Sequence, residues 1–246
     1  MTTFSRRGLH GQIVNQLGLR IIRGEIKSGE TIDPDALLHE FEVSRTVMRE
    51  AIKVLTAKGL LDARPRLGTY VTQRSRWQLL DGDVMTWRSQ DDPDPLLVLE
   101  LDEVRQAIEP AAAAMAALRG TDLQLEAIES ALVVLESTSH TDEHLAADLA
   151  FHRAILAASG NELLEQFEVV LEPALHARDV LAYAHAKDRA FVDKHRRVFE
   201  AIASRSAESA RSAMRELIDS AAKDTESILF ADPKNADLRA NRVRTR

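Results

Sequence analysis

From Leu96 to Phe230 the chain keeps a helical period almost without interruption, broken only by the short polar stretches "RGT", "TSHT", "SGN" and "SRS". Few folds accept such a pattern, because amphipathic helices joined by short turns bury their apolar stripes best against antiparallel neighbours. It predicts helices near 96–119, 121–138, 142–159, 161–186 with a bend at Pro173, 188–204 and 206–230, about six in a bundle. An aromatic content of only 4% is consistent with a chain that is mostly helical.

The N-terminal part is patterned differently. Residues 10–24 bring Ile13, Leu17 and Ile21 into helical register and stop at Gly24. Asp33 is a suitable N-cap for a second helix with Pro34 in its first position, and Ser44 for a third that runs to Gly59. The period then changes. "LLDARPRLGTYVTQ" reads as a hairpin with Pro65 to Gly68 at its tip. Three helices followed by a hairpin is the order of a winged helix-turn-helix. We therefore expect a DNA-binding domain over 1–75, a linker over 76–95, a helical domain over 96–231, and a flexible basic tail over 232–246. Trp77 and Trp87 are expected to dock the linker, which shows no clean period, against a domain.

Charge follows the same division. The formal net charge is -7, yet residues 1–75 hold 12 Lys/Arg against 8 Asp/Glu, a balance of +4. The remainder holds 20 against 31, or -11. A basic module on an acidic body suits an anionic partner at one end only, and argues against a protein that compacts DNA non-specifically with its whole surface. There is no cysteine, which excludes disulfides and thiol chemistry and suits a reducing cytoplasm. "MTTFSRRGLHGQIVNQL" lacks the apolar core of a signal peptide, and no window reaches the roughly 18 apolar residues of a membrane helix.

In a helix-turn-helix the second of the paired helices enters the major groove and its first turns reach base edges. Those positions here are Ser44, Arg45, Thr46 and Arg49, with Val47, Met48, Ala51, Ile52 and Leu55 facing the core behind them. Arginine can fork onto guanine O6 and N7, and Ser or Thr can bond a phosphate or a base. Arg64 and Arg66 flank the hairpin tip, where a wing meets phosphates or the minor groove.

"FEVSRTVMREAIKVLTAKGLLDARPRLGTYV" resembles the GntR superfamily of transcription factors over about residues 10–72. The resemblance implies operator contacts from Arg45, Thr46, Arg49, Arg66 and Gly68, and a homodimer on a pseudo-palindromic operator. The chain departs from the family's run entering the second helix, where it has "DPDALL". Asp35 stands where some relatives carry a DNA-contacting basic residue, so no base contact is assigned to that helix.

"LDEVRQAIEPAAAAMAA", "DLAFHRAILAASGN" and "DKHRRVFEAIASRSAESARSAMREL" resemble the ligand-binding (FCD) domain of the FadR subfamily. The resemblance implies a divalent metal, Zn²⁺, Ni²⁺ or Mn²⁺, on Asp148, His152 and His195, and an effector carboxylate on Arg105. Where the family has its last histidine the chain has Leu217, which leaves the shell to be completed by water or effector oxygens. His144 cannot replace it, because eight helical residues separate it from His152 by about 12 Å. Two alternatives stay open: the same residues bind the effector without metal, or Asp148 and His152 are a satisfied pair in the core. Arg105 has Glu109 one turn on as a structural partner, and His176, Arg178 and His185 are further candidates for the pocket or the surface. "WQLLDGDVMTW" is similar to the linker of sugar-acid regulators, which implies a gluconate-like effector that relieves repression. The competing functional class is a metal-dependent hydrolase or isomerase on the bundle, with Glu109 as base.

Overall fold

The structure is a computed structural model that describes residues 8–66, 68–89, 94–138, 142–182 and 189–235. The chain forms two compact units, Met1–Gln90 and Asp91–Arg246.

In the first unit α1 (Leu9–Ile22) buries Ile13, Val14, Leu17 and Ile21 and ends where Gly24 takes φ 72°, a left-handed turn that suits glycine. The expected caps start the next two helices. Asp33 accepts from the backbone N–H groups of Asp35 at 2.9 Å and Ala36 at 3.3 Å and opens α2 (Pro34–Glu40). Ser44 accepts from Val47 N–H at 3.4 Å and opens α3 (Arg45–Ala57). Met48, Ala51 and Leu55 of α3 are buried against the core, with Val47 and Ile52 half-buried beside them.

Strands β2 (Leu61–Arg64) and β3 (Gly68–Val71) pair antiparallel with Arg64 opposite Gly68, which is the predicted wing. A short strand, β1 (Thr31–Ile32), joins the other side of β3, so the sheet runs β1-β3-β2. Two residues carry no readable alternation, and only their pairing with Tyr70 and Thr69 makes them a strand.

The stretch expected as an aperiodic linker contains a helix, α4 (Gly82–Ser89). Its start is capped, since Asp81 Oδ1 accepts from Asp83 N–H at 3.0 Å and Val84 N–H at 3.2 Å. Trp87 is buried; its indole N–H donates to Asn15 Oδ1 at 2.7 Å, and its ring lies where a Cβ on Gly18 would be 2.6 Å away. Trp77 is partly buried on the same core.

The second unit holds α5 (Pro95–Arg119), α6 (Asp122–Ser137), α7 (Asp142–Ala158), α8 (Glu162–Glu165), α9 (Glu168–Ala182), α10 (Arg189–Ala203) and α11 (Ala207–Ala231). The long helices α5 and α11 pack together most extensively, and Phe151, Ile155, Val198, Ile202, Met214 and Ile218 form the main core. Where one helix over 161–186 was expected, there are two, and the break is not at Pro173. Asn161 caps α8, which stops at Gln166, and Phe167 turns inward onto Ala112, Leu156 and Leu171. Pro173 lies little more than one turn inside α9, where its missing N–H costs a single bond. Of the expected tail, residues 236–246 lie outside the described residues; Pro233–Asn235 form a 3-10 turn tied down by Asn235 Nδ2, which donates to the Leu229 carbonyl at 3.0 Å. No helix among the described residues is long and apolar enough to cross a membrane.

Candidate functional site

Two groups of polar residues stand out, one exposed and one buried. On the first unit Ser44, Arg45, Thr46, Arg49, Arg64, Arg66 and Gly68 are all exposed, the first four on α3 and its cap, the rest on the wing. Ser44 is partly committed, since its hydroxyl accepts the Val47 N–H. Arg45, with 84% of its side chain exposed, meets Asp35 at 3.4 Å. The pair joins an exposed residue of α2 to the arginine that opens α3. Arg64 lies over the Tyr70 ring at 4.9 Å. Arg66 takes φ 69°, a region that costs an ordinary side chain about 1 kcal/mol or more. Leu67, between Arg66 and Gly68, lies outside the described residues.

In the second unit the structure brings Arg105, Glu109, Asp148, His152 and His195 together from three helices, α5, α7 and α10, all of them buried. His195 Nε2 lies 2.9 Å from Asp148 Oδ1, and His152 Nε2 lies 3.5 Å from the same oxygen. One candidate ligand atom each from Asp148, His152 and His195 falls within 4.8 Å of the others. The other ring nitrogens are also held. His195 Nδ1 is 2.9 Å from the Phe191 carbonyl, and His152 Nδ1 is 2.5 Å from Glu109 Oε2, an ion-pair contact without aligned hydrogen-bond geometry. Rings of Phe151 and Phe191, 5.1 Å and 4.3 Å from His195, wall in its imidazole.

Arg105 meets its anticipated structural partner, donating Nε–H to Glu109 Oε1 at 2.6 Å, and Nη2 stands 3.4 Å from His152 Nε2. Its Nη1 is buried without a hydrogen-bond partner. Beside this pair is a cavity of about 10 Å³ walled by Val104, Ile108, Leu156 and Phe167, space for one water.

Charges set the protonation states. Burial pushes the Glu109 carboxyl up, but Arg105 and His152 outweigh it and draw it down to about 2. Burial works against a charged His152 as well, and the facing Glu109 and Asp148 carboxylates overcome it and raise its pKa. For His195 burial prevails over Asp148, and its pKa falls. His195 therefore tends to be neutral, with one proton for two acceptors, Asp148 and the Phe191 carbonyl. Whichever nitrogen carries that proton, the other presents a lone pair to an oxygen 2.9 Å away. A cation shared with Asp148 and His152 removes that conflict, so the donor set fits a divalent metal with both imidazoles ligating through Nε2.

Other candidates fall elsewhere. His144 meets the Phe191 ring in a tilted contact at 5.6 Å and contributes no atom to the cluster; His176 is exposed; Leu217 is buried in the apolar core. His185 and the side chain of Arg178 lie outside the described residues. Sequence reasoning missed two holders of the imidazoles. Glu109 was weighed as a partner of Arg105 and as a base, not as the group that orients His152. The Phe191 carbonyl is main chain and leaves no mark in sequence.

The family model for bacterial regulatory proteins, gntR family, matches residues 9–71, and that for the FCD domain matches residues 100–220. The galactonate operon transcriptional repressor of Escherichia coli (strain K12) is 32% identical over 223 residues, spanning 88% of this chain and 96% of that protein. This chain belongs to the GntR family. Like its relatives, this GntR-family protein is a DNA-binding transcriptional regulator and not an enzyme. The Uxu operon transcriptional regulator of Escherichia coli (strain K12) is 32% identical over 148 residues, 58% of this chain and 56% of that protein. The fold also matches the solved structure of Lar, which controls the expression of the Listeria monocytogenes agr system, with TM-score 0.63 and 20% identity over 92% of this chain and 99% of that one. In a regulator of this family Glu109 has no call to act as a base, and a carboxylate held near 2 would be a weak one.

Proposed function

We propose that this regulator represses sugar-acid catabolism genes and is released by a small carboxylate effector of gluconate type bound inside the helical unit. The observation that carries this reading is the buried set Arg105, Glu109, Asp148, His152 and His195, with the unpartnered Nη1 of Arg105 beside it. A buried guanidinium needs an anion, and Glu109 takes up only part of it. Similarity to the galactonate operon transcriptional repressor and the Uxu operon transcriptional regulator supplies the chemical class.

Asp148, His152 and His195 would hold one divalent cation, Zn²⁺, Ni²⁺ or Mn²⁺. Such an ion supplies a Lewis-acidic point for effector oxygens, and Leu217 adds no fourth ligand to close the shell. With both imidazoles neutral, the ion and Arg105 exceed Glu109 and Asp148 by one positive charge. A single carboxylate balances it. The second reading, direct effector binding without metal, is favoured by Arg105 Nη2, which already stands at the ligating nitrogen of His152.

A sugar acid is larger than a 10 Å³ cavity, so binding has to widen it. An effector that favours the widened form over the closed one shifts the protein between two geometries, and only that difference in affinity drives the response. In the cytoplasm a homodimer would set two wings and two α3 helices on a pseudo-palindromic operator, with Ser44, Arg45, Thr46, Arg49, Arg64, Arg66 and Gly68 at the DNA. The chain would then divide into a DNA-binding domain over 1–75 and an effector-binding and dimerisation domain over 96–231.

The test is a mobility-shift titration on an operator duplex selected by the full chain from a randomised pool, with and without galactonate and gluconate. Release by either acid, lost in Arg105→Ala, is expected. A complex indifferent to every sugar acid tried rejects the effector class. Elemental analysis of dialysed protein beside His195→Ala decides between metal and direct binding: metal in the first and not in the second is expected, and none in either selects the metal-free reading.

A further inference from the structure

The DNA-reading unit does not stop where the gntR family match does, at residue 71. Residues 72–78 cover the C-terminal end of α3. Gln78 N–H donates to the Lys58 carbonyl at 3.0 Å, Gln78 Nε2 to the Ala57 carbonyl at 2.7 Å, and Thr72 Oγ1 to the Gly59 carbonyl at 2.5 Å. Gly59, at φ 78°, lets the strand pass; a Cβ there would lie 2.2 Å from the Arg76 carbonyl oxygen. Every free carbonyl named here at the end of the recognition helix is therefore capped by the segment that leads into α4.

Lys58 follows α3 directly and is only 8% exposed. Its ammonium lies 2.6 Å from Asp81 Oδ1, 2.7 Å from Asp83 Oδ2 and 5.9 Å from the centre of the Trp87 ring. Burial pulls the Lys58 pKa down, but Asp81 and Asp83 outweigh it and hold it above the usual value, so the group stays charged. Asp81 Oδ1 serves twice, since the oxygen that receives Lys58 also caps α4. At its other end α4 is pinned to α1 by Trp87, through Asn15 and Gly18. These contacts go beyond what burying an apolar linker face requires.

We propose that Lys58, Asp81 and Asp83 are positioning residues for operator recognition: their clasp fixes the C-terminal end of α3 to the docked linker helix and so aims Arg45 and Arg49. The lever is long. Thirteen residues of helix, roughly 20 Å, separate Lys58 from Arg45, so a helix pivoting about its middle moves at one end about as far as at the other. A base contact is lost over a few tenths of an ångström to an ångström, whereas a phosphate contact of a long side chain tolerates more. Loosening the clasp therefore reduces discrimination between sequences more than it reduces attraction to DNA.

The inference rests on the reading that α3 enters the major groove, and the test separates the two. Full-length protein is titrated by fluorescence anisotropy onto its pool-selected operator and onto a scrambled duplex of equal length. Lys58→Met alone leaves two buried carboxylates unpaired, so the deciding variant is the triple Lys58→Met/Asp81→Asn/Asp83→Asn, which removes all three charges together. The triple variant is expected to keep its circular dichroism and to lose about tenfold in operator affinity, with scrambled-duplex affinity within about twofold of wild type. Lys58→Arg, which keeps the charge, is expected to recover most of the selectivity. If the triple variant discriminates as well as wild type, the three residues only satisfy one another's charge and the proposal is overturned. Should it fail to fold, Gln78→Ala decides, because an exposed cap can be removed without unfolding the unit: a selective loss of about two- to threefold supports positioning, and unchanged selectivity overturns it. Arg45→Ala/Arg49→Ala is run in parallel. If that variant binds the operator normally, the reading of α3 itself has failed.

Discussion

The exposed arginines of α3 and the wing and the buried arginine of α5 are the same side chain under opposite conditions. Arg45 and Arg49 stay in water and cost folding almost nothing; Arg105 is stripped of water and has to be neutralised inside the protein by Glu109. The first kind stays accessible to a ligand from solvent, even where Arg45 meets the exposed Asp35. The second belongs to a cluster in which removing one member exposes the cost of all the others. On the proposed roles, function is separable from stability in the first unit and bound up with it in the bundle.

The sharpest way to break that comparison is Glu109→Ala. It leaves Arg105 buried without its carboxylate and takes a counter-charge from His152. We expect the unfolding transition that reports the bundle to lose about 3–5 kcal/mol in a urea titration. A change below about 1 kcal/mol would mean that the cluster is better hydrated than its burial indicates.

Arg45→Ala/Arg49→Ala is the converse. Each bidentate base contact is worth about 1–3 kcal/mol of discrimination, so losing two should lower specific affinity by about thirtyfold or more while the thermal midpoint stays in place. Loss of stability along with binding would place these residues in the fold and not on the operator.

How far each region could be read in advance follows from the same contrast. Caps and the paired strands of the wing are local: Asp33, Pro34 and Ser44 act within a few residues of themselves, Arg64 pairs with Gly68, and both features appear as expected. The Asp148–His152 pair and the Arg105–Glu109 pair are local too, one helical turn each. What could not be read is non-local. The short strand β1 exists only through β3, and α4 shows no clean apolar period because it buries Asp83, Arg88 and Ser89 along with Val84, Met85 and Trp87, with Lys58 and Asn15 as partners from elsewhere in the unit. At the break before α9, Phe167 packs on Ala112 of α5 and Leu156 of α7, partners far from it in sequence. His195 reaches Asp148 across 47 residues, and the resemblance of its segment to a known domain pointed there where spacing did not.

Metal binding gives a third, somewhat smaller effect. If Asp148, His152 and His195 hold a divalent ion, Ni²⁺ or Zn²⁺ at a hundred times its dissociation constant should stabilise the chelator-treated protein by about 2.7 kcal/mol, and His195→Ala should not respond. An equal response from the variant would place the ion elsewhere. The same titration on Leu217→His asks whether a fourth nitrogen can be supplied. Its buried, apolar setting predicts a loss of stability without added metal, because an unpaired imidazole in that core costs more than leucine does.

The smallest effect tests the one residue that belongs to both sides of the comparison. Ser44 caps α3 and also stands among the exposed groups assigned to DNA. Ser44→Ala should cost the first unit about 1 kcal/mol in stability, as the loss of an N-cap does. Ser44→Asp keeps a side-chain acceptor for the Val47 N–H and adds a negative charge at the positive end of the helix, so its stability should equal or exceed that of wild type. The same charge faces the phosphates when the operator is bound, and affinity should fall further than in Ser44→Ala. Stability and binding then move in opposite directions within a single substitution, which a residue that served only as a cap could not produce.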